Sequence, residues 1–119
     1  MPRTAITPQT PQQGAQLGVV AADDLNITYT VADVANGNLV AWNSNRLMVC
    51  VWNDSASPYT FTVASVAAGS SGRTSPITTY ATAADEHQHF ILERDGWQQT
   101  DGLWLDASNA AVKFAVLLL

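Results

Sequence analysis

The residues with the most chemical content in this 119-residue chain are His87, His89 and Glu93. Histidines two apart on a strand share a face, and a carboxylate six residues on returns to it. Imidazole nitrogens and a carboxylate are ligands for a divalent metal ion. The chain holds only two histidines, so any such set is incomplete. The bland alternative is a polar strand face running into the charged turn Glu93-Arg94-Asp95-Gly96.

Other chemistry has less behind it. Ser70 and Ser71 lie in a Gly/Ser stretch without the strand–turn–helix context of a nucleophile elbow. The same stretch, from Gly69 to Gly72, has no following Lys-Ser/Thr and is no phosphate cradle. The carboxylate pairs Asp23-Asp24 and Asp85-Glu86 fall where turn formation accounts for them. Asn26-Ile-Thr28 and Asn53-Asp-Ser55 fit glycosylation sequons, but with no secretory signal visible they are not expected to be used. No catalytic residue and no cofactor are therefore assigned, and the chain is expected not to be an enzyme. The His-x-His spacing is similar to the first metal motif of cupins, which are β-barrel or jelly-roll proteins. That resemblance gives a cupin-like metalloprotein using His87, His89 and Glu93 as the third-ranked reading.

Composition bounds the rest. Hydrophobic residues make up 47% of the chain, enough to build one core at this length. Charged residues make up only 13%, about half the usual share. Ala, Thr, Ser, Asn and Gln fill the place of the missing charge, and Lys113 is the only lysine. Five basic residues against ten acidic ones leave no footprint for nucleic acid. No apolar run reaches the ~20 residues of a membrane helix. The single cysteine, Cys50, lies in an apolar run and is expected to be a buried, inert thiol. Synthesis in a reducing cytoplasm fits these features.

Residues 1–18 carry three of the five prolines and four glutamines, and are expected to form an extended arm. Ile6 and Leu17 are its apolar anchors for a neighbouring chain. Residues 19–119 read as a single domain of short strands. The segments are 26–31, Arg46–Asn53, 59–65, Ile77–Thr82, 87–92, 103–106 and Val112–Leu118, separated by Gly, Pro, Asn, Asp and Ser. Arg46–Asn53 alternates Leu47, Val49 and Val51 with Met48, Cys50 and Trp52, so it is apolar on both faces. Such a strand is central in its sheet or covered by a partner. With 59–65, where Tyr59, Phe61 and Val63 face inward, it is expected to form a hairpin. One helical turn fits within 81–86. The fold class is all-β, an antiparallel β-sandwich, jelly-roll-like or immunoglobulin-like, with the N-terminal arm appended.

Four tryptophans suggest contacts. Trp52 alternates with core positions and is expected to be buried. Trp42 and Trp97 lie among Asn, Gln and Gly, as exposed aromatics that touch sugars or protein do. A carbohydrate- or host-surface-binding sandwich using them is the second reading.

The order of features resembles a known group of proteins. An arm containing Arg3-Thr-Ala-Ile-Thr-Pro8 comes first. Asn36-Gly-Asn38 precedes the strand that ends in Asn53, and a Thr-alternating strand follows. Gln99-Thr-Asp-Gly-Leu-Trp-Leu-Asp106 then leads into a terminal apolar strand. This resembles the small β-rich virion proteins of tailed bacteriophages, of the capsid decoration or cement type. The resemblance implies a structural protein on the outer capsid surface that binds the major capsid protein and braces the lattice. It also implies a homo-oligomer, a trimer ahead of a dimer. Arg3, Ile6, Leu17, Trp42 and Trp97 are the expected partner contacts.

Overall fold

The computed structural model describes residues 2–11, 26–42, 44–69 and 71–119. Among these residues there are nine strands and no helix, so none is long and apolar enough to cross a membrane. They are β1 (Thr4–Ala5), β2 (Thr30–Val31), β3 (Asn38–Val40), β4 (Arg46–Asn53), β5 (Tyr59–Val63), β6 (Ile77–Thr82), β7 (His87–Glu93), β8 (Leu103–Ala107) and β9 (Val112–Leu118). The strands make two sheets, ordered β1-β3-β8-β5-β6 and β2-β9-β4-β7.

Alternation along each strand decides what lies between the sheets. Leu47, Val49 and Val51 of β4, and Val112, Phe114 and Val116 of β9, are fully buried. They meet Val40, Phe61, Val63, Leu103 and Leu105 of the five-stranded sheet in one apolar cluster. The result is an all-β sandwich around a single core. Aliphatic and aromatic burial on this scale is its main stabilisation, at ~25 cal/mol per Å² of apolar area.

The pairing has a simple rule. β2 pairs with β9, β3 with β8, β4 with β7 and β5 with β6, all antiparallel. These are four nested pairs, as in one long hairpin folded in half. The folded hairpin then rolls so that β9 also pairs with β4, and β8 with β5.

Consecutive strands from β2 to β5 therefore alternate between the sheets, which corrects the expected hairpin. β4 and β5 lie in opposite sheets, and residues 54–58 cross between them. Asn53 organises the crossing. It is fully buried, and its Nδ2 donates to the carbonyls of Ser57 (2.7 Å), Thr82 (3.0 Å) and Ala83 (3.2 Å). Its Oδ1 accepts from Ser55 Oγ (2.7 Å), so one side chain ties β4 to the β4–β5 and β6–β7 turns. The expected helical turn within 81–86 is instead the end of β6 followed by a tight turn, with Asp85 at φ 54°.

The first described residues join both sheets. Thr4 N donates to Gly37 O (3.0 Å) and Ile6 N to Leu39 O (2.8 Å), which lays β1 along β3. Gln9 N donates to Val116 O (2.7 Å) and Leu118 N to Gln9 O (2.8 Å), on the edge of β9. Between these points Ile6 is 4% exposed, inside the core. The Gln9 amide also grips the backbone of Thr28, donating to its carbonyl (2.6 Å) and accepting from its N–H (2.9 Å). Residues 4–9 thus close one open side of the sandwich. The expected arm–domain boundary at residue 18 falls outside the described residues.

Candidate interaction face

The outer face of the four-stranded sheet presents the side chains that alternate with the core. The strand registers set them in rows across β9, β4 and β7: Leu117, Met48 and Ile91; Ala115, Cys50 and His89; Lys113, Trp52 and His87. The outward face of an antiparallel sheet is ordinarily polar where it meets water. Here the first row is apolar throughout, with Ile91 49% exposed. Arg46 and Glu93 form the charged border beside it.

Trp52 anchors the other end of this face, half-buried on the outside and not in the core as expected. Its strand neighbours flank it on both sides. His87 stacks on the indole at 5.1 Å between centroids and 11° between planes, and Lys113 Nζ lies 5.1 Å from the ring centroid. Tyr29 meets it edge-on at 5.5 Å, and Nε1 donates to Asp85 (3.0 Å). Lys113 is held in turn by Asp54 (2.7 Å). Burial raises the Tyr29 hydroxyl above its ordinary pKa, with the neighbouring Cys50 adding to the shift. Cys50 is buried, as expected, and that burial raises its thiol too, which keeps it protonated and unreactive.

The structure does not bring the candidate metal ligands together. An extended strand rises ~3.3 Å per residue, which separates His87 from Glu93 by about 20 Å. A shared ion needs ligand atoms within ~2.2 Å of itself. Among the described residues no three His, Cys, Asp or Glu side chains are grouped to hold one. Residues that share a strand face can still lie far apart along it. Ser71 lies in the β5–β6 connection; Ser70, Asp23 and Asp24 lie outside the described residues.

The expected partner contacts are scattered. Trp42 is 7% exposed and part of the core, which corrects its expected exposure: a polar sequence neighbourhood does not stop the indole from pointing inward. Trp97 is half-buried and packs against the same core. Ile6 is in the core of its own domain. Arg3 Nη1 donates to Asp106 Oδ1 (2.9 Å), and the Arg3 guanidinium lies 4.5 Å from the Trp104 ring centroid on the outer face of the five-stranded sheet. Gly37, at φ 79°, leaves room for that guanidinium where a Cβ would collide with it. Leu17 lies outside the described residues. Trp42 is thus in the core, Trp97 packs on it, and Trp52 and Trp104 each lie beside a cation. The sequence signal for the Leu117–Met48–Ile91 row was the apolar outer register of β4 and β9; only the sheet order showed which face it formed. The chain matches no protein-family model, no curated protein and no solved structure.

Proposed function

We propose that this chain is a structural protein of a tailed-phage virion, a capsid decoration or cement subunit that binds the assembled major capsid lattice from outside and acts without catalysis. The observation that carries the proposal is the apolar row Leu117–Met48–Ile91 on the outside of a sheet, in a chain with only 13% charged residues. Ile91 is 49% exposed and Met48 and Leu117 beside it are half-buried, and a contiguous apolar patch that reaches the surface marks a place for another chain. The finer architecture proposed is a jelly roll, supported by the four nested antiparallel pairs. Viral capsid domains use that architecture, as do lectins and cupins. The N-terminal segment belongs to it as a strap across one side.

A subunit with affinity for the assembled lattice alone stabilises it by mass action, about 2.7 kcal/mol per site at a concentration 100 times Kd. Many copies on one shell, joined as a homo-oligomer, multiply the effect. The test is co-sedimentation of the purified chain with assembled capsids and with unassembled major capsid protein. The expected result is stoichiometric binding to capsids alone, weakened at least tenfold by Ile91→Asp. Absence of binding to capsids, or undiminished binding of the variant, overturns the proposal.

A further inference from the structure

A sheet edge presents main-chain N–H and C=O groups with which another strand can pair. The edges here are β1 and β6 in one sheet, β2 and β7 in the other. β1 and β2 are two residues each, too short to template a partner. β6 is irregular: Thr79 stands at φ 45°, the pairing slips between Phe61 and Val63, and Thr79 N donates to Thr62 Oγ1 (2.9 Å). Such a break disrupts regular strand addition. β7 has none of these protections. It runs seven residues in unbroken register with β4, holds no Pro, Lys or Gly, and among the described residues no strand pairs with its other side.

Hydrogen bonds at the two ends of the β4–β7 ladder fix what that open side offers. Asn53 N donates to Glu86 O (3.1 Å), and Arg94 N donates to Asn45 O (2.9 Å). In an antiparallel pair, every second residue directs both of its main-chain groups at the same neighbour. Glu86 and Arg94 therefore belong to one series with Gln88, Phe90 and Leu92, which face β4. His87, His89, Ile91 and Glu93 direct their N–H and C=O groups to the open side. Their side chains are the exposed ones of the strand.

A second copy of the same strand, turned about a two-fold axis at Phe90, matches this edge. His87 then falls opposite the partner's Glu93, and His89 opposite the partner's Ile91. All four outward-directed residues enter hydrogen-bonded pairs, each with two main-chain bonds. Moving the axis to His89 or Ile91 loses one of those pairs. The side chains agree with this register. Arg46 neighbours Glu93 within the sheet, so the carboxylate lies between a guanidinium and the partner's imidazole. No like charges are opposed across the seam, and opposite ones favour such a pairing. On the core side, Phe90 meets the partner's Phe90 in a pair without mutual hydrogen bonds, the kind that brings side chains closest. Phe90 is half-buried, stacked on Phe61 at 5.9 Å, and a second ring across the axis covers its free side.

We propose that β7 is a dimerisation edge: two copies of this chain pair β7 to β7, antiparallel about Phe90, and join their four-stranded sheets into one of eight strands. The interface is isologous, so it closes on itself at two subunits. It also makes one surface of the two outer faces, with Ile91 of the apolar row beside the partner's His89. The proposal goes beyond the virion reading and does not rest on it. It makes the homo-oligomer a dimer, where the family resemblance put a trimer first.

Sedimentation equilibrium and amide hydrogen exchange of the full chain, over a range of concentrations, test it. A concentration-dependent dimer is expected. As it forms, the amides of His87, His89, Ile91 and Glu93 gain protection, while those of Gln88, Phe90 and Leu92 are protected throughout. His89→Pro removes an N–H that faces away from β4, a place where an edge strand tolerates Pro, and is expected to weaken the dimer at least tenfold. Ile91→Lys, at an exposed position, is expected to do the same. Glu93→Lys sets a cation against the partner's imidazole and weakens the dimer; adding His87→Glu restores opposite charges and most of the affinity. A chain that stays monomeric up to ~1 mM, or that forms a trimer, overturns the proposal. So does a dimer that gains protection elsewhere, or one that His89→Pro and Ile91→Lys leave intact. Failure of the charge exchange to recover affinity overturns the register about Phe90. Capsid binding by a monomeric chain overturns the dimer and leaves the virion function standing.

Discussion

Replacing Ile6 with Ala distinguishes a strap from a loose arm. Ile6 is 4% exposed and belongs to the central apolar cluster, held there by main-chain bonds at Thr4, Ile6 and Gln9. Truncating a buried Ile to Ala costs ~2–5 kcal/mol, the loss of transfer energy plus the cavity left behind. Rigid sheets on both sides limit collapse of that cavity, so about 3 kcal/mol is expected. Total stability of such a domain is ~5–15 kcal/mol, which makes this a large fraction of it. Urea unfolding followed by tryptophan fluorescence gives the measurement. With a slope near 2 kcal/mol per M, the midpoint falls by roughly 1.5 M and the slope stays unchanged. The exposed Val34, changed to Ala, is the control and is expected to shift stability by less than ~0.5 kcal/mol. If Ile6→Ala loses under ~1 kcal/mol, Ile6 is not a core residue and residues 4–9 do not close the sandwich.

Three further substitutions test polar contacts. Asn53→Ala strands the carbonyls of Ser57, Thr82 and Ala83 and is expected to cost ~2–4 kcal/mol in urea unfolding. Asn53→Asp is expected to be worse at pH 7, where a buried carboxylate faces those same oxygens, and to recover part of the loss as acid protonates it. Asp33 is held below the ordinary carboxylate range first by Thr4 Oγ1 (2.6 Å) and then by Asn36. A depressed folded value means stability that is present above the unfolded pKa near 4 and lost as pH falls through the folded one. Unfolding measured from pH ~5 down to ~2 is therefore expected to weaken with acid, less steeply in Asp33→Asn.

Strand existence was legible because alternation is written in the residues. Ile77–Thr82 and Val112–Leu118 match β6 and β9 end to end, and Arg46–Asn53 matches β4. Strand partnership was not legible. Alternation reports which face a side chain takes, and the turn at 54–58 looks the same whether it joins strands of one sheet or of two. Burial of Asn53, a polar residue that ends an apolar strand, decides that difference. β1 was hidden by length, since two residues carry no period, and β2 keeps only the last two residues of the strand expected at 26–31. Trp42 and Trp52 exchanged their expected places for related reasons. Polar neighbours made Trp42 look exposed, although a side chain one position from a turn can still point inward. Apolar neighbours made Trp52 look buried, although alternation with Leu47, Val49 and Val51 places it on the opposite face. The depression that Phe61, Tyr80 and Phe90 line between the β6 and β7 edges lay beyond sequence reading, because β6 and β7 are adjacent in the chain yet end different sheets.

The nested pairing also bears on how the chain comes to be folded. The last two strands, β8 and β9, are interior strands, each inserted between two that precede it. During synthesis β3 and β5 wait for β8, and β2 and β4 wait for β9. Neither sheet can be completed from the amino end, and the unpaired edges of β3, β4 and β5 stay open until the final strands emerge. Pairings this distant in sequence carry a loop-closure penalty before any contact repays it, which slows folding toward milliseconds to seconds. A nascent chain stopped before residue 103 would lack the centre of both sheets, and its free strands would be open to pairing with other chains.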